Sequence, residues 1–264
     1  MILAGKVAII YGAGSIGGAV AREFAREGAI VYLAGRTQSK LDIVANDIRS
    51  FGGQAHVAEL DARDQSAVTA HADRVVAQAG RIDVMLNALG EYHVQGRLLT
   101  EMSLEQFMSS IDFHMKTHYT TAKAVVDHMT KQRSGVVLTI TTPGGRLSGP
   151  GFIGNGAASG AIEAFSRCLA GELGPSGIRV ICLRPDAMPE TLAQSYVGPM
   201  FSEIAARNGT TAEAILEGRA RATSLIQRSP RLAEVAAYAA FVASDKAGSM
   251  TGAIANLTGG TVVD

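Results

Sequence analysis

The sequence has no tryptophan, only two cysteines and seven prolines, and aromatic residues are 5% of its 264 positions. Each shortage excludes something. The two cysteines, Cys168 and Cys182, cannot build a disulfide scaffold. They sit in apolar stretches away from any His or Asp cluster, so they read as buried reduced thiols, and no metal centre is expected. Neither sign of charge prevails: 24 Lys and Arg balance 24 Asp and Glu. That speaks against a basic nucleic-acid surface and against a polybasic membrane patch. No apolar run is long enough to span a bilayer, and the opening residues carry no signal-peptide segment, so a cytoplasmic location is expected. Internal repeats and low-complexity tracts are missing as well.

What is present is apolar residue in quantity, 47% of the chain, enough to bury both faces of a large sheet. It is arranged in alternation. Short β-branched runs predict strands at Lys6–Tyr11, Ile30–Ala34, Ala55–Leu60, Ile82–Asn87, Gly135–Thr141, Ile178–Leu183 and Ala253–Leu257. Apolar residues at helical spacing predict helices at Ile16–Arg26, Lys40–Ser50, Ser66–Gln78, Leu104–Lys131, Gly156–Leu173 and Leu232–Ser244. Repeated β-α-β units of this length imply an α/β fold, a single-domain Rossmann-type doubly wound parallel sheet with helices on both faces. One dinucleotide-binding domain then fills residues 1–264. The stretch 188–228 breaks the alternation and reads as a lid over the site.

The first strand runs into Gly12-Ala13-Gly14-Ser15-Ile16-Gly17, a G-x-G-x-x-G sequence in the strand-turn-helix context that a dinucleotide requires. Gly12 suits the tight turn, Gly14 the close approach of a pyrophosphate, and Gly17 the packing of helix on strand. The helix N-terminus behind Ser15 and Ile16 offers free N–H groups to phosphate. At the end of the second strand, an acid would bond a ribose 2′-hydroxyl and an arginine would accept a 2′-phosphate. The residues there are Gly35-Arg36-Thr37, which favours NADP(H) over NAD(H).

These motifs, in this order, resemble the short-chain dehydrogenase/reductase family along nearly the whole chain. The glycine loop is one residue shorter than the family's usual T-G-x-x-x-G-x-G. Asp61-Ala62 resembles the family's contact to adenine. Asn87-Ala88-Leu89-Gly90 is similar to its N-N-A-G, with Ala88 in place of the second Asn. Ala170-Gly171-Glu172-Leu173, Gly177-Ile178-Arg179-Val180 and Ala243-Ser244-Asp245 match its later signatures. Pro185-Asp186-Ala187 stands where the family has Pro-Gly, and Thr191 falls one residue later than the threonine that touches the nicotinamide carboxamide. The resemblance also implies a homodimer or homotetramer built on the two long helices, acting on a small-molecule substrate.

The catalytic positions depart from the family. Its proton donor is a tyrosine whose pKa is lowered by a lysine one helical turn later. The resemblance aligns Asn155 with the tyrosine and Ser159 with the lysine. Thr142 takes the place of the catalytic serine, and His114 that of the relay asparagine. A literal Y-x-x-x-K occurs at Tyr119 and Lys123, but in the long helix before the fifth strand, where it reads as a decoy. Asn155 and Ser159 have no proton to give at a useful pKa. The candidate donors are His114, with His118 one turn away, and Tyr92 or His93 beyond Gly90. Thr142 with Arg146 could instead hold a polar substrate group. The lid carries Met188, Leu192, Tyr196, Met200 and Phe201, which would line an apolar pocket. Two functions stay open: an NADPH-preferring oxidoreductase acting on a small apolar carbonyl, enone or imine by a non-standard proton relay, and a non-catalytic nucleotide-binding relative.

Overall fold

The computed structural model describes residues 1–264. Seven strands form one parallel sheet: β1 (Val7–Tyr11), β2 (Ile30–Gly35), β3 (Gln54–Glu59), β4 (Val84–Asn87), β5 (Gly135–Ile140), β6 (Ile178–Pro185) and β7 (Ala253–Leu257), in the spatial order β3-β2-β1-β4-β5-β6-β7. The central strands are buried along their whole length, with no alternation, because helices cover both faces of the sheet.

On one face lie α1 (Ser15–Arg26), α2 (Gln38–Ser50) and α8 (Leu232–Ala243), over a core that includes Val20, Phe24, Ile48 and Ala239. On the other lie α3 (Gln65–Ala79), α4 (Leu104–Gln132) and α5 (Ile153–Leu173), over Ile9, Val68, Val125 and Val180. Several helix boundaries have a local cause. The Asp64 carboxylate accepts from the Ser66 and Ala67 N–H groups to start α3, and left-handed Gly80 ends it. Ser103 and Gln106 form a capping box on α4. Helix α1, like α2 and α5, has no side-chain cap; Gly14 precedes it, so its first N–H groups have no partner side chain.

Strand order reverses between β1 and β4, which both pair with their neighbours in parallel register. Their carboxyl ends therefore diverge into a crevice, the position at which such sheets bind ligands. Two helices of the 188–228 segment, α6 (Val197–Arg207) and α7 (Ala212–Thr223), stand above that crevice and share a small core of Met200, Phe201, Ala212 and Leu216. No helix is long and apolar enough to cross a membrane.

Several boundaries moved by one to three residues from the sequence reading. β4 starts at Val84 rather than Ile82, β6 runs on to Pro185, and α5 starts at Ile153, one turn earlier than Gly156. The two glycines at the head of α5, Gly154 and Gly156, weaken the helical pattern in sequence. They are retained because their backbones pack close to Phe107 and Gly144. The thiols also differ from expectation. Cys182 is buried within β6, where burial pushes its pKa up to about 11, but Cys168 is exposed on α5.

Candidate active site

A cleft of about 290 Å³ runs along the carboxyl ends of the strands, from the β1–α1 turn to the underside of α6. Its first part is built by the glycine loop. Gly12 holds φ at +103°, in the left-handed region, and a Cβ there would meet the Ala88 carbonyl oxygen at 2.8 Å. Gly17 lets α1 settle on its own turn, because a Cβ would stand 2.0 Å from the Gly12 oxygen. Gly14 faces open space. The Ser15 hydroxyl, buried at the first turn of α1, has no hydrogen-bond partner in the protein. It lines the cleft with Gly12, Gly14 and Ile16.

Beyond β2, Arg36, Thr37 and Lys40 line the same end. The Arg36 guanidinium lies 3.4 Å from the Glu91 carboxylate and is about half exposed, so the pair is weak and easily exchanged for another anion. A turn with free N–H groups, an unpartnered hydroxyl and two nearby cations fits a dinucleotide phosphate.

Asn87, Asp61 and Ala62 lie outside the cleft lining. Asn87 is buried; its Nδ2 donates to Thr121 Oγ1 at 3.1 Å, and its Oδ1 accepts from the Leu89 N–H at 3.1 Å. It thereby shapes the Leu89–Gly90 wall without lining it. Asp61 is held by Arg63 through a two-pronged pair, which keeps its carboxyl below the usual range. The Ala62 carbonyl accepts from Thr120. Pro185 and Thr191 line the cleft, and the Thr191 hydroxyl donates to the Met188 carbonyl at 2.7 Å.

At the middle of the cleft, the structure brings together three residues from two segments. Thr142 Oγ1 and Ser159 Oγ are 2.8 Å apart, Asn155 Nδ2 donates to Thr142 Oγ1 at 3.4 Å, and the Gly144 N–H donates to it at 3.1 Å. Two donors thus occupy the lone pairs of Thr142, so its O–H is directed at Ser159 Oγ. Asn155 and Thr142 line the cleft; Ser159 supports them from the second layer.

The expected proton donors separate. His114 does not line the cleft. It packs edge-on to Phe113 and beside His118, and burial drives its pKa down to about 3. A neutral imidazole in that setting has no proton to give at neutral pH, which corrects the role expected of it. His118 is equally buried, with its pKa near 4. Tyr92 turns away from the cleft and donates to Glu203 on α6. Arg146 leaves the cleft as well, toward Glu163 and Asp264. His93 is the neighbour that faces inward. Its Nδ1 donates to the Glu91 carbonyl at 3.1 Å, and its Nε2 is buried without a partner.

The sequence reading treated Tyr196 as an apolar lining residue only. Its ring lies directly over the Gly90 backbone, where a Cβ would come within 2.1 Å of Cε1. It tilts against His93 at 5.7 Å between ring centres. Asp186 was also unreadable as a contact; Arg219 of α7 pairs with it at 2.8 Å, and both border the cleft.

Residues 12–261 match the family described as enoyl-(acyl carrier protein) reductase. The chain is 32% identical to the short-chain reductase protein NovJ of Streptomyces niveus, over 97% of this chain and 93% of that one. Among solved structures, a short-chain dehydrogenase/reductase from Burkholderia xenovorans superposes with a TM-score of 0.85 at 27% identity, covering 99% of both chains. A xylitol dehydrogenase with bound NAD+ superposes with a TM-score of 0.88 at 22% identity, over 98% of this chain and all of that one. The parallel sheet, the glycine turn and the cleft at its switch point define a nicotinamide-dinucleotide oxidoreductase scaffold. This chain belongs to the short-chain dehydrogenase/reductase family.

Proposed function

We propose that the protein is an NADPH-preferring oxidoreductase that reduces a small, largely apolar carbonyl compound, enone or imine. The observation that carries this reading is one continuous cleft. It joins an unpartnered Ser15 hydroxyl at the α1 N-terminus to the Thr142–Asn155 donor pair. When bound, the reduced nicotinamide supplies the hydride. The chain's own residues divide the rest of the work.

Gly12, Gly14, Ser15 and Ile16 cradle the phosphates, and Arg36 with Lys40 receives a 2′-phosphate. Asp61 and Ala62 border the adenine, Asn87 fixes the Leu89–Gly90 wall, and Pro185 with Thr191 bounds the nicotinamide. The second Asn155 amide N–H donates to a carbonyl oxygen, and the Thr142 O–H joins it by turning from Ser159. As charge develops on that oxygen, such fixed donors are worth roughly 10²–10³ in rate each. Neither is an acid, so they polarise the substrate without protonating it. Leu147, Phe152, Met188 and Met200 give the substrate end its apolar walls. Residues 188–228 act as a lid, latched by Arg219 on Asp186 and by Tyr92 on Glu203. The assembly is a homodimer or homotetramer, with α4 and α5 forming the paired surface.

The second reading, a nucleotide-binding protein without turnover, draws on the lack of a tyrosine and lysine at positions 155 and 159. Titration with NADPH and NADH, followed by the cofactor's fluorescence, tests the first reading. NADPH is expected to bind at least tenfold tighter than NADH. Arg36→Ala is expected to erase that margin, since a charged hydrogen bond is worth about 1.5–3 kcal/mol and 1.4 kcal/mol is tenfold. Failure of both cofactors to bind would sink the oxidoreductase reading.

A further inference from the structure

We infer that Tyr196 is the proton donor of this site, a catalytic residue delivered by the α6–α7 segment in place of the missing α5 tyrosine. The inference rests on the oxidoreductase reading above and asks where its proton comes from.

Three observations converge on Tyr196. First, the α5 positions are chemically unable to supply a proton. Asn155 carries an amide and Ser159 an alcohol, and neither holds a proton acidic enough to give near neutrality. Second, Tyr196 borders the cleft that holds Thr142 and Asn155. Its pKa is raised by burial alone, with no hydrogen bond and no charge contributing. The phenol is therefore a neutral O–H that the protein has not engaged elsewhere. Tyr92, by contrast, has its phenol committed to Glu203.

Third, the ring is held in place. Gly90, at the carboxyl end of β4, has to lack a Cβ for the ring to lie on its backbone. His93 closes the side of the ring. The His93 tautomer follows from its neighbour: a carbonyl can only accept, so Nδ1 carries the hydrogen toward Glu91 and Nε2 is a bare acceptor. Burial keeps that imidazole neutral. It cannot compete with Tyr196 as the acid, and it places no positive charge beside the phenol. His93 is a positioning residue here.

The step balances as follows. The carbonyl carbon receives a hydride, with its two electrons, from the reduced nicotinamide dinucleotide. The C=O π pair moves to oxygen, which Thr142 and Asn155 hold by their donors. That oxygen takes the proton from Tyr196 Oη, and the phenolate recovers a proton from solvent at the cleft mouth. An alkoxide is far more basic than a phenolate, so the transfer runs downhill even from a phenol with a raised pKa. Tyr196 lies outside the two-helix core that anchors the segment, one residue ahead of α6. The acid and the carbonyl donors thus come from different elements, and the site is complete only with the segment docked.

The test compares the full-length wild type, Tyr196→Phe and Tyr119→Phe. Each is first titrated with NADPH by fluorescence and then mixed with benzil, an aromatic diketone, in single-turnover reactions followed at the NADPH absorbance, in H2O and D2O. Tyr119 is the exposed tyrosine of the decoy pair on α4. The expected result is that all three bind NADPH within threefold of one another. Tyr196→Phe then reduces benzil about 10²-fold more slowly, the loss of one positioned acid, and its solvent isotope effect disappears. Tyr119→Phe matches the wild type. Reduction by Tyr196→Phe within threefold of the wild type, with NADPH bound, would overturn the role of Tyr196 alone. Wild type that binds NADPH and leaves benzil unreduced also overturns it. If the wild type does not bind NADPH, the oxidoreductase reading falls and this inference with it.

Discussion

At the scale of single residues, the site is decided by what a side chain can donate. Asn155 and Ser159, which the family resemblance aligns with an acid and a cation, make a neutral hydrogen-bond set around Thr142. That arrangement was legible once the motif was aligned, because Asn155 and Ser159 are one helical turn apart and the chemistry of each follows from its type. His114 was misread because its spacing in sequence says nothing about desolvation. Only the packing against Phe113 and His118 reveals a ring too buried to hold a proton. The same burial has a measurable cost. His71, His114 and His118 have folded pKa values of about 4, 3 and 4, against an ordinary value of 6.5. In the unfolded chain they protonate at the ordinary value, so the unfolded state binds more protons between these limits. Stability is therefore lost as pH falls below about 6.5, by up to about 1.4 kcal/mol per pH unit for each histidine, and levels off near pH 3–4. Urea unfolding at pH 7.5, 6 and 5 checks this, and His114→Leu is expected to flatten the profile. A flat wild-type profile would contradict the burial of the three rings. Gly17 makes the complementary case. Gly17→Ala puts a methyl group into a backbone oxygen, and is expected to abolish NADPH binding and lower stability by about 2 kcal/mol or more. An unchanged fluorescence titration would refute it.

At the scale of elements, strands and helices were read within a few residues because their periodicity is local. β7 falls at Ala253–Leu257 as expected, and α8 differs by one residue. The glycine turn was equally legible, since φ > 0 and close approach are demands that only one residue type meets. The α6–α7 segment was legible as an interruption and as a lid with apolar residues, but its polar contacts were not. Its contacts join residues far apart in the chain: Arg219 with Asp186, Tyr92 with Glu203, Arg207 with the Gln95 and Gly96 carbonyls. No local pattern announces such pairs. They predict a segment whose docking depends on charge. Arg219→Leu leaves Asp186 buried without its partner and is expected to raise KM more than it lowers kcat. Limited proteolysis within residues 208–211 is expected to quicken by severalfold in the variant. Equal cleavage rates in the variant and wild type would show that the latch does not hold the segment.

At the scale of the molecule, one buried ion network binds the end of the chain to the sheet. Arg184 on β6 is fully buried and pairs with Glu163 of α5 at 2.8 Å and with Asp264 at 2.6 Å; Arg146, from the loop that carries Thr142, approaches both acids. Removing Glu163 leaves the buried Arg184 with Asp264 as its remaining carboxylate. Glu163→Leu is expected to cost about 1.5–3 kcal/mol, read as a drop in the urea midpoint, while the double variant Glu163→Leu, Arg184→Met regains much of it. If the double variant is no more stable than the single one, the network is not the source of the loss. The α/β class was legible from alternation alone. The network was not, because its members meet only after the sheet has closed.

The α6–α7 segment also bears on how such a protein can diversify. It leaves the sheet after β6 and returns before α8, and its small core of Met200, Phe201, Ala212 and Leu216 is separate from the two cores that hold the sheet. Specificity and acid can therefore be re-cut by exchanging one contiguous cassette. The phosphate cradle and the carbonyl donors, encoded outside it, would be inherited unchanged.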